Sequence, residues 1–217
     1  HSGIFGLRRS GKTSLLYAIK RLLKSDNYPS IYIPCQSQLS SSNWQIALYT
    51  IIRDIYRETG IKEKGVHSKQ SYIDGNAAVC FEDDILTIYK ETFKPIVLLF
   101  DEIEAITFDV PNENSSWSDG TYYIPFWNAL RGLYLKNPNV ISIVVAGTNP
   151  RINEIPVLHN GSTNPMYGQL ALSNQGAYLL PFTLIDTQNM VNTLGGYMGV
   201  SFDDHVCSSL TLDCGGH

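Results

Sequence analysis

The sequence predicts an α/β fold: a central, mostly parallel sheet held between helices in three α-β-α layers, followed by the start of a small helical lid. Three observations carry that expectation. The stretch Gly6-Leu7-Arg8-Arg9-Ser10-Gly11-Lys12-Thr13 matches G-x-x-x-x-G-K-S/T between a short apolar run and an amphipathic segment. The runs Ile96-Val97-Leu98-Leu99-Phe100 and Val140-Ile141-Ser142-Ile143-Val144-Val145-Ala146 are almost unbroken in apolar residues, as strands buried on both faces of a parallel sheet must be. Stretches with apolar residues at helical spacing alternate with the strands, the pattern of βαβ crossovers.

Gly3-Ile4-Phe5 reads as a strand end, and Lys12 to Lys24 as a helix with Leu15, Leu16, Ile19, Leu22 and Leu23 on one face. A turn at Asp26-Asn27-Tyr28-Pro29 leads into a strand, Ser30-Ile31-Tyr32-Ile33-Pro34-Cys35. Polar residues at 40–43 then start a helix through Trp44, Ile46, Ala47, Leu48, Ile51, Ile52 and Ile55 that Gly60 stops. Residues 61–76 are polar and unpatterned, which predicts a surface excursion, and Ala77 to Phe93 is helical with Val79, Ile85, Leu86, Ile88 and Tyr89 inward. Residues 107–121 have a loop composition with Trp117 as an exposed aromatic, and a helix from Ile124 to Leu135 turns Phe126, Trp127, Leu130 and Leu133 inward and Arg131 away. A strand is expected between Gln169 and Leu180. Thr183-Leu184-Ile185-Asp186 has the form of a capping box opening a helix that Gly195-Gly196 closes, and Ser201-Phe202-Asp203-Asp204 starts another that ends at Cys214. The expected division is an α/β core over 1–182 and a lid beginning at 183–217.

The chemistry follows from where these residues fall. Glycines let a backbone curl so that successive N–H groups point inward at a phosphate chain, with the positive end of the following helix behind them. Gly6, Leu7, Arg8, Arg9, Ser10, Gly11, Lys12, Thr13 and Ser14 are therefore the expected phosphate-binding residues, with Lys12 meeting the outer phosphate oxygens and the Thr13 hydroxyl holding Mg2+. The apolar strand ending in Asp101-Glu102 delivers carboxylates to the same sheet edge: Asp101 for Mg2+, and Glu102 to orient and polarise an attacking water. Glu104 is a competing base, a metal-shell residue or a cap for the next segment. Thr148 and Asn149 end the neighbouring strand, where their polar groups are placed to hydrogen-bond the terminal phosphate or the water.

Gross composition narrows the field. The chain has 217 residues, 43% hydrophobic and 17% charged, which is ordinary for a folded domain of this size and excludes a disordered or fibrous chain. A net charge of −4 argues against a uniformly basic nucleic-acid binder, so DNA is a possible partner that charge does not indicate. No membrane partner is expected, since no run has the length of a span. The scattered cysteines Cys35, Cys80, Cys207 and Cys214 have neither zinc-site spacing nor the density of a disulfide scaffold and predict reduced thiols in the cytoplasm. The chain begins at His1, directly on the strand that feeds the loop, and reads as a piece of a longer protein.

The order of these motifs resembles the additional-strand class of P-loop NTPases, and more narrowly the STAND ATPases and the related origin-recognition initiators of the AAA+ group. The likeness is carried by Gly6 to Leu16 (the phosphate loop, or Walker A), by Leu98-Leu99-Phe100-Asp101-Glu102-Ile103-Glu104 (Walker B), and by Phe126-Trp127-Asn128-Ala129-Leu130-Arg131, Val144-Val145-Ala146-Gly147-Thr148-Asn149-Pro150 and Asn160-Gly161-Ser162-Thr163-Asn164-Pro165-Met166-Tyr167. The resemblance implies a Mg2+-dependent ATPase, with slow hydrolysis, that cycles between ATP and ADP. Its nucleotide state would control homo-oligomerisation and effector or sensor modules outside this chain. It also implies that the last helices begin a lid over the nucleotide. Arg131 is the one residue available as an arginine finger, with a structural salt bridge as the alternative. Two other readings stay open from sequence: a nucleotide-dependent DNA-binding initiator, and an ATP-binding scaffold with negligible hydrolysis. GTPase action is disfavoured because no Asn-Lys-x-Asp motif is present.

Overall fold

The computed structural model describes residues 1–61, 66–109, 115–170 and 178–214. Strands β1 (Ser2–Phe5), β2 (Ser30–Pro34), β3 (Ile96–Asp101) and β4 (Ile141–Gly147) form an all-parallel sheet of four in the order β1-β4-β3-β2. The fold is thus α/β, and the register pairs Phe5 with Gly147, Phe100 with Val145 and Pro34 with Asp101. Parallel pairing in this register brings the C-terminal ends of all four strands to one edge, where ligands of open α/β sheets bind. On the free side of β1 the chain returns at Tyr178, bridged in parallel to Phe5, and Leu179 donates its N–H to the Phe5 carbonyl at 2.7 Å. The strand expected between Gln169 and Leu180 is represented by that bridge; residues 171–177 lie outside the described residues.

The helices are α1 (Lys12–Ser25), α2 (Cys35–Gln38), α3 (Trp44–Thr59), α4 (Lys69–Asp74), α5 (Ala77–Thr92), α6 (Ser115–Ser118), α7 (Tyr123–Lys136), α8 (Arg151–Glu154), α9 (Leu184–Met198) and α10 (Asp204–Cys214). Strand alternation divides the side chains between two layers. Ile31, Ile33, Leu98, Phe100, Ile143 and Val145 point into the larger core, which α3, α5 and α7 complete. Val97, Leu99 and Ala146 point the other way, onto Leu16 of α1, with Ile19 and Leu23 packed alongside. The apolar stripe predicted for α1 is only partly used: Leu22 is 67% exposed.

Local chemistry explains the boundaries. Asn43 accepts the Ile46 N–H at 2.9 Å to start α3, and Gly60 ends it at φ 67°, a left-handed conformation that lacks a Cβ penalty only in glycine. The expected surface excursion over 61–76 contains instead the helix α4, started by Ser68 and anchored by buried Tyr72. On α5, Val79 faces solvent, contrary to expectation, while Asp84 is fully buried. Burial of this carboxylate is compensated by the Tyr72 hydroxyl at 2.8 Å, the His67 N–H at 3.1 Å and the His67 ring Nδ1 at 2.9 Å. Trp117, expected to be exposed, is 0% exposed: its indole lies edge-on to Phe126 and donates Nε1–H to the Ser42 carbonyl at 3.0 Å. A polar loop composition misleads here because a single large aromatic is enough to fasten the loop onto the core.

Thr183 and Asp186 form the reciprocal capping box at the start of α9. The helix does not close at Gly195-Gly196 but runs through them to Gly199, at φ 71°. Gly195 is an inward contact: a Cβ there would lie 2.5 Å from the Val200 carbonyl, so the glycine admits the returning chain rather than ending the helix. Helices α9 and α10 pack on each other around Cys207 and leave Tyr197, Met198 and Leu212 exposed. Among the described residues no helix is long and apolar enough to cross a membrane.

Candidate functional site

The loop between β1 and α1 lies at the sheet edge where β1, β3 and β4 end. The Gly6 N–H donates to the Gly147 carbonyl at 3.1 Å, which locks the loop entrance to the end of β4. Arg9 and Gly11 take left-handed φ values of 65° and 87°, giving the sharp curl before α1. Gly11 caps that helix without any side-chain acceptor, so the leading N–H groups of α1 keep their donor capacity. Ser10 Oγ is buried and has no hydrogen-bond partner among the described residues. An uncapped helix start and an orphaned hydroxyl are donors that a phosphate group fits. Leu7, Arg8, Arg9 and Ser14 are exposed.

Lys12 folds back over this loop and donates from Nζ to the carbonyls of Gly6 at 2.9 Å and Leu7 at 2.6 Å. Partial burial lowers its pKa, opposed by the negative charges of Glu104 and Asp101. Thr13, the next residue, donates its hydroxyl to Asp101 Oδ2 at 2.6 Å across 88 positions of sequence. That contact joins the two motifs that the sequence assigned to one metal site.

Asp101 is 2% exposed at the end of β3 and is held by more than Thr13. The Tyr32 hydroxyl on β2 donates to the same Oδ2 at 2.8 Å, and the Glu102 N–H donates to Oδ1 at 2.9 Å. The Tyr32 ring is stacked on Tyr17 of α1, centroids 4.6 Å apart. Burial, and then the bond to the Asp101 carboxylate, push the Tyr32 phenol above its ordinary pKa, so it stays a donor. Sequence reasoning missed Tyr32 in this role. The available signal was the alternation Ile31-Tyr32-Ile33, which sets the tyrosine on the α1 face beside the acidic strand end.

The two remaining acids divide. Glu102 sits at φ 53°, is exposed, and its carboxylate takes no hydrogen bond among the described residues. Glu104, one turn on in the 3-10 segment Ile103–Ile106, is engaged: its Oε1 accepts the Thr148 N–H, the Thr148 hydroxyl at 2.8 Å and the Asn149 N–H at 3.0 Å. Thr148 and Asn149 therefore lie at the site as expected, with their donors on Glu104. The Asn149 side-chain oxygen is turned to the Arg151 N–H at 3.0 Å, the start of α8. Beneath the acids, burial pushes up the Cys35 thiol, with Asp101, Glu104 and Glu102 adding to the effect.

Arg131 lies apart from this group on α7. Its Nε is buried without a hydrogen-bond partner, and among the described residues it forms no ion pair. Asn164, within the Asn160–Tyr167 stretch, is a structural clamp: it accepts the Tyr123 hydroxyl at 2.7 Å and donates to the carbonyls of Ile152 and Ile155 at 2.8 and 2.7 Å. This satisfied amide fixes the loop that follows α8.

No protein-family model matches the chain, and no curated protein matches it. Among solved structures, a chain in the E. coli MS115-1 HORMA:CdnC:Trip13 complex is similar over 94% of this chain and 70% of its own length, at 9% identity and a TM-score of 0.39, a likeness too low to carry an argument about fold or function.

Proposed function

We propose that this chain binds ATP with Mg2+ and hydrolyses it slowly, as a switch of the P-loop, AAA+/STAND type whose nucleotide state governs self-association and attached effector or sensor modules. The observation that supports it most is the Thr13–Asp101 hydrogen bond, which places the hydroxyl of a G-x-x-x-x-G-K-T loop against the carboxylate of an apolar strand. Hydroxyl and carboxylate oxygens are the donor set that magnesium prefers. The orphaned Ser10 hydroxyl and the uncapped start of α1 support phosphate as the ligand.

In this reading the inward N–H groups of the loop bind the phosphate chain, and the Lys12 ammonium leaves the Gly6 and Leu7 carbonyls for phosphate oxygens. Thr13 and Asp101 would hold Mg2+, which supplies positive charge that neutralises the phosphates and the leaving oxygen. The Glu102 carboxylate, exposed and without a hydrogen bond among the described residues, is the group available to accept a proton from water, whereas Glu104 Oε1 is already engaged. The exposed apolar side chains of α9 and α10 support an oligomer or further helices as partners.

Calorimetric titration of ATP with Mg2+, paired with phosphate release, tests the proposal. Lys12→Ala is expected to abolish binding, and Glu102→Gln to keep it while stopping turnover. Turnover by Glu102→Gln at the parent rate removes the base assignment, and absence of nucleotide binding by the parent chain removes the reading itself.

A further inference from the structure

The end of β4 is an anion seat that the chain fills with its own carboxylate. The Thr148 N–H, the Thr148 hydroxyl and the Asn149 N–H converge on one oxygen of Glu104. The fit is tight: a Cβ on Gly147 would lie 2.6 Å from Glu104 Oε1 and 2.6 Å from the Ile103 Cγ2 methyl, so only glycine lets the carboxylate approach this backbone. The seat adjoins the phosphate loop, since the Gly147 carbonyl accepts the Gly6 N–H at 3.1 Å. Glu104 is also the leading negative charge acting on Lys12.

We propose that Glu104 is a specificity-determining residue that competes with the terminal phosphate of a nucleoside triphosphate for the donors at the end of β4. The inference rests on the nucleotide reading above. Two anions cannot share one donor set without strong repulsion, so a triphosphate reaching Thr148 must displace the carboxylate. A diphosphate fills the Gly6–Thr13 loop and stops short of that seat, because such loops cradle the inner phosphates and only the outermost projects beyond them. Glu104 therefore handicaps the triphosphate selectively. Displacement also frees the Ile103–Ile106 segment from β4, which links triphosphate arrival to a movement of the chain behind it.

The test is calorimetric titration of the 217-residue chain, as wild type, Glu104→Ala and Glu104→Gln, with ADP and with a non-hydrolysable triphosphate whose β–γ bridge is nitrogen, both with Mg2+. In Glu104→Ala the triphosphate affinity relative to ADP is expected to rise roughly tenfold, with ADP itself changed by less than about twofold. Glu104→Gln, which keeps an acceptor but loses the charge, should fall between. A thermal melt checks folding, and if the alanine variant does not fold the glutamine variant carries the same ratio. An unchanged ratio, or both nucleotides weakening together, overturns the proposal and leaves Glu104 as a structural tie. Folded proteins that bind neither nucleotide overturn the nucleotide reading, and this inference with it.

Discussion

Tyr32→Phe isolates one hydrogen bond at the Asp101 end of the candidate site. The substitution removes the hydroxyl that donates to Asp101 Oδ2 at 2.8 Å and keeps the ring stacked on Tyr17. A hydrogen bond to a charged acceptor contributes about 1.5–3 kcal/mol when its loss leaves the acceptor bare. Asp101 keeps the Thr13 hydroxyl and the Glu102 N–H, and Tyr32 is only half-buried, so water replaces part of what is lost. The net effect on a ligand that depends on Asp101 is therefore about 1 kcal/mol, or roughly fivefold in affinity. Among the described residues the phenol hydrogen-bonds to Asp101 and to no residue of the Gly6–Gly11 loop. Titrations with a fluorescent ATP analogue should then weaken about fivefold at saturating Mg2+ and stay unchanged in EDTA. Equal weakening with and without metal would refute the assignment, because it would mean that Tyr32 supports the loop or the fold rather than the carboxylate. The loss of stability should lower Tm by no more than about 2–4 °C in a chain of this size.

Two further outcomes follow from the geometry. Burial, and then Asp84, hold the Tyr72 phenol above its ordinary pKa, and Tyr32 is raised in the same direction. The folded state therefore keeps protons that the unfolded chain loses near pH 10, so stability is full below that pH and declines as pH rises above it. Urea melts from about pH 8 to 11 should show that decline, and Tyr72→Phe should flatten it; an unchanged slope in the variant would count against Tyr72 as its source. Gly147→Ala should destabilise by about 1–3 kcal/mol in a denaturant melt, since its methyl would collide with Glu104 and Ile103, whereas a neutral result would mean that the clasp gives way freely.

The strands were legible in the sequence because each is set by an unambiguous apolar run, and the sheet edge carrying the acids follows from where those runs end. The Gly6–Thr13 loop was legible because few backbones accept that glycine spacing. Other features depend on contacts between distant residues and leave only weak local marks. Trp117 looks like a loop aromatic until Ser42 and Phe126 are brought beside it. Helix α4 is too short for periodicity to register and is fastened by Tyr72 reaching Asp84 of α5. Gly195-Gly196 has the form of a helix stop, yet the close approach of Val200 retains a glycine inside the helix. The roles of Glu102 and Glu104 could not be separated by spacing, because only the turn at the end of β4 decides which acid is engaged.

The strand order bears on how the molecule is made. β1 precedes the other strands of the sheet, but its neighbour is β4, so the first of the four strands waits unpaired until the last has been made. Contacts of such long sequence separation form slowly. On a ribosome, the Gly6–Thr13 loop would hang from an unpaired strand throughout that interval. The site would come into being as a late event, when β4 slots between β1 and β3.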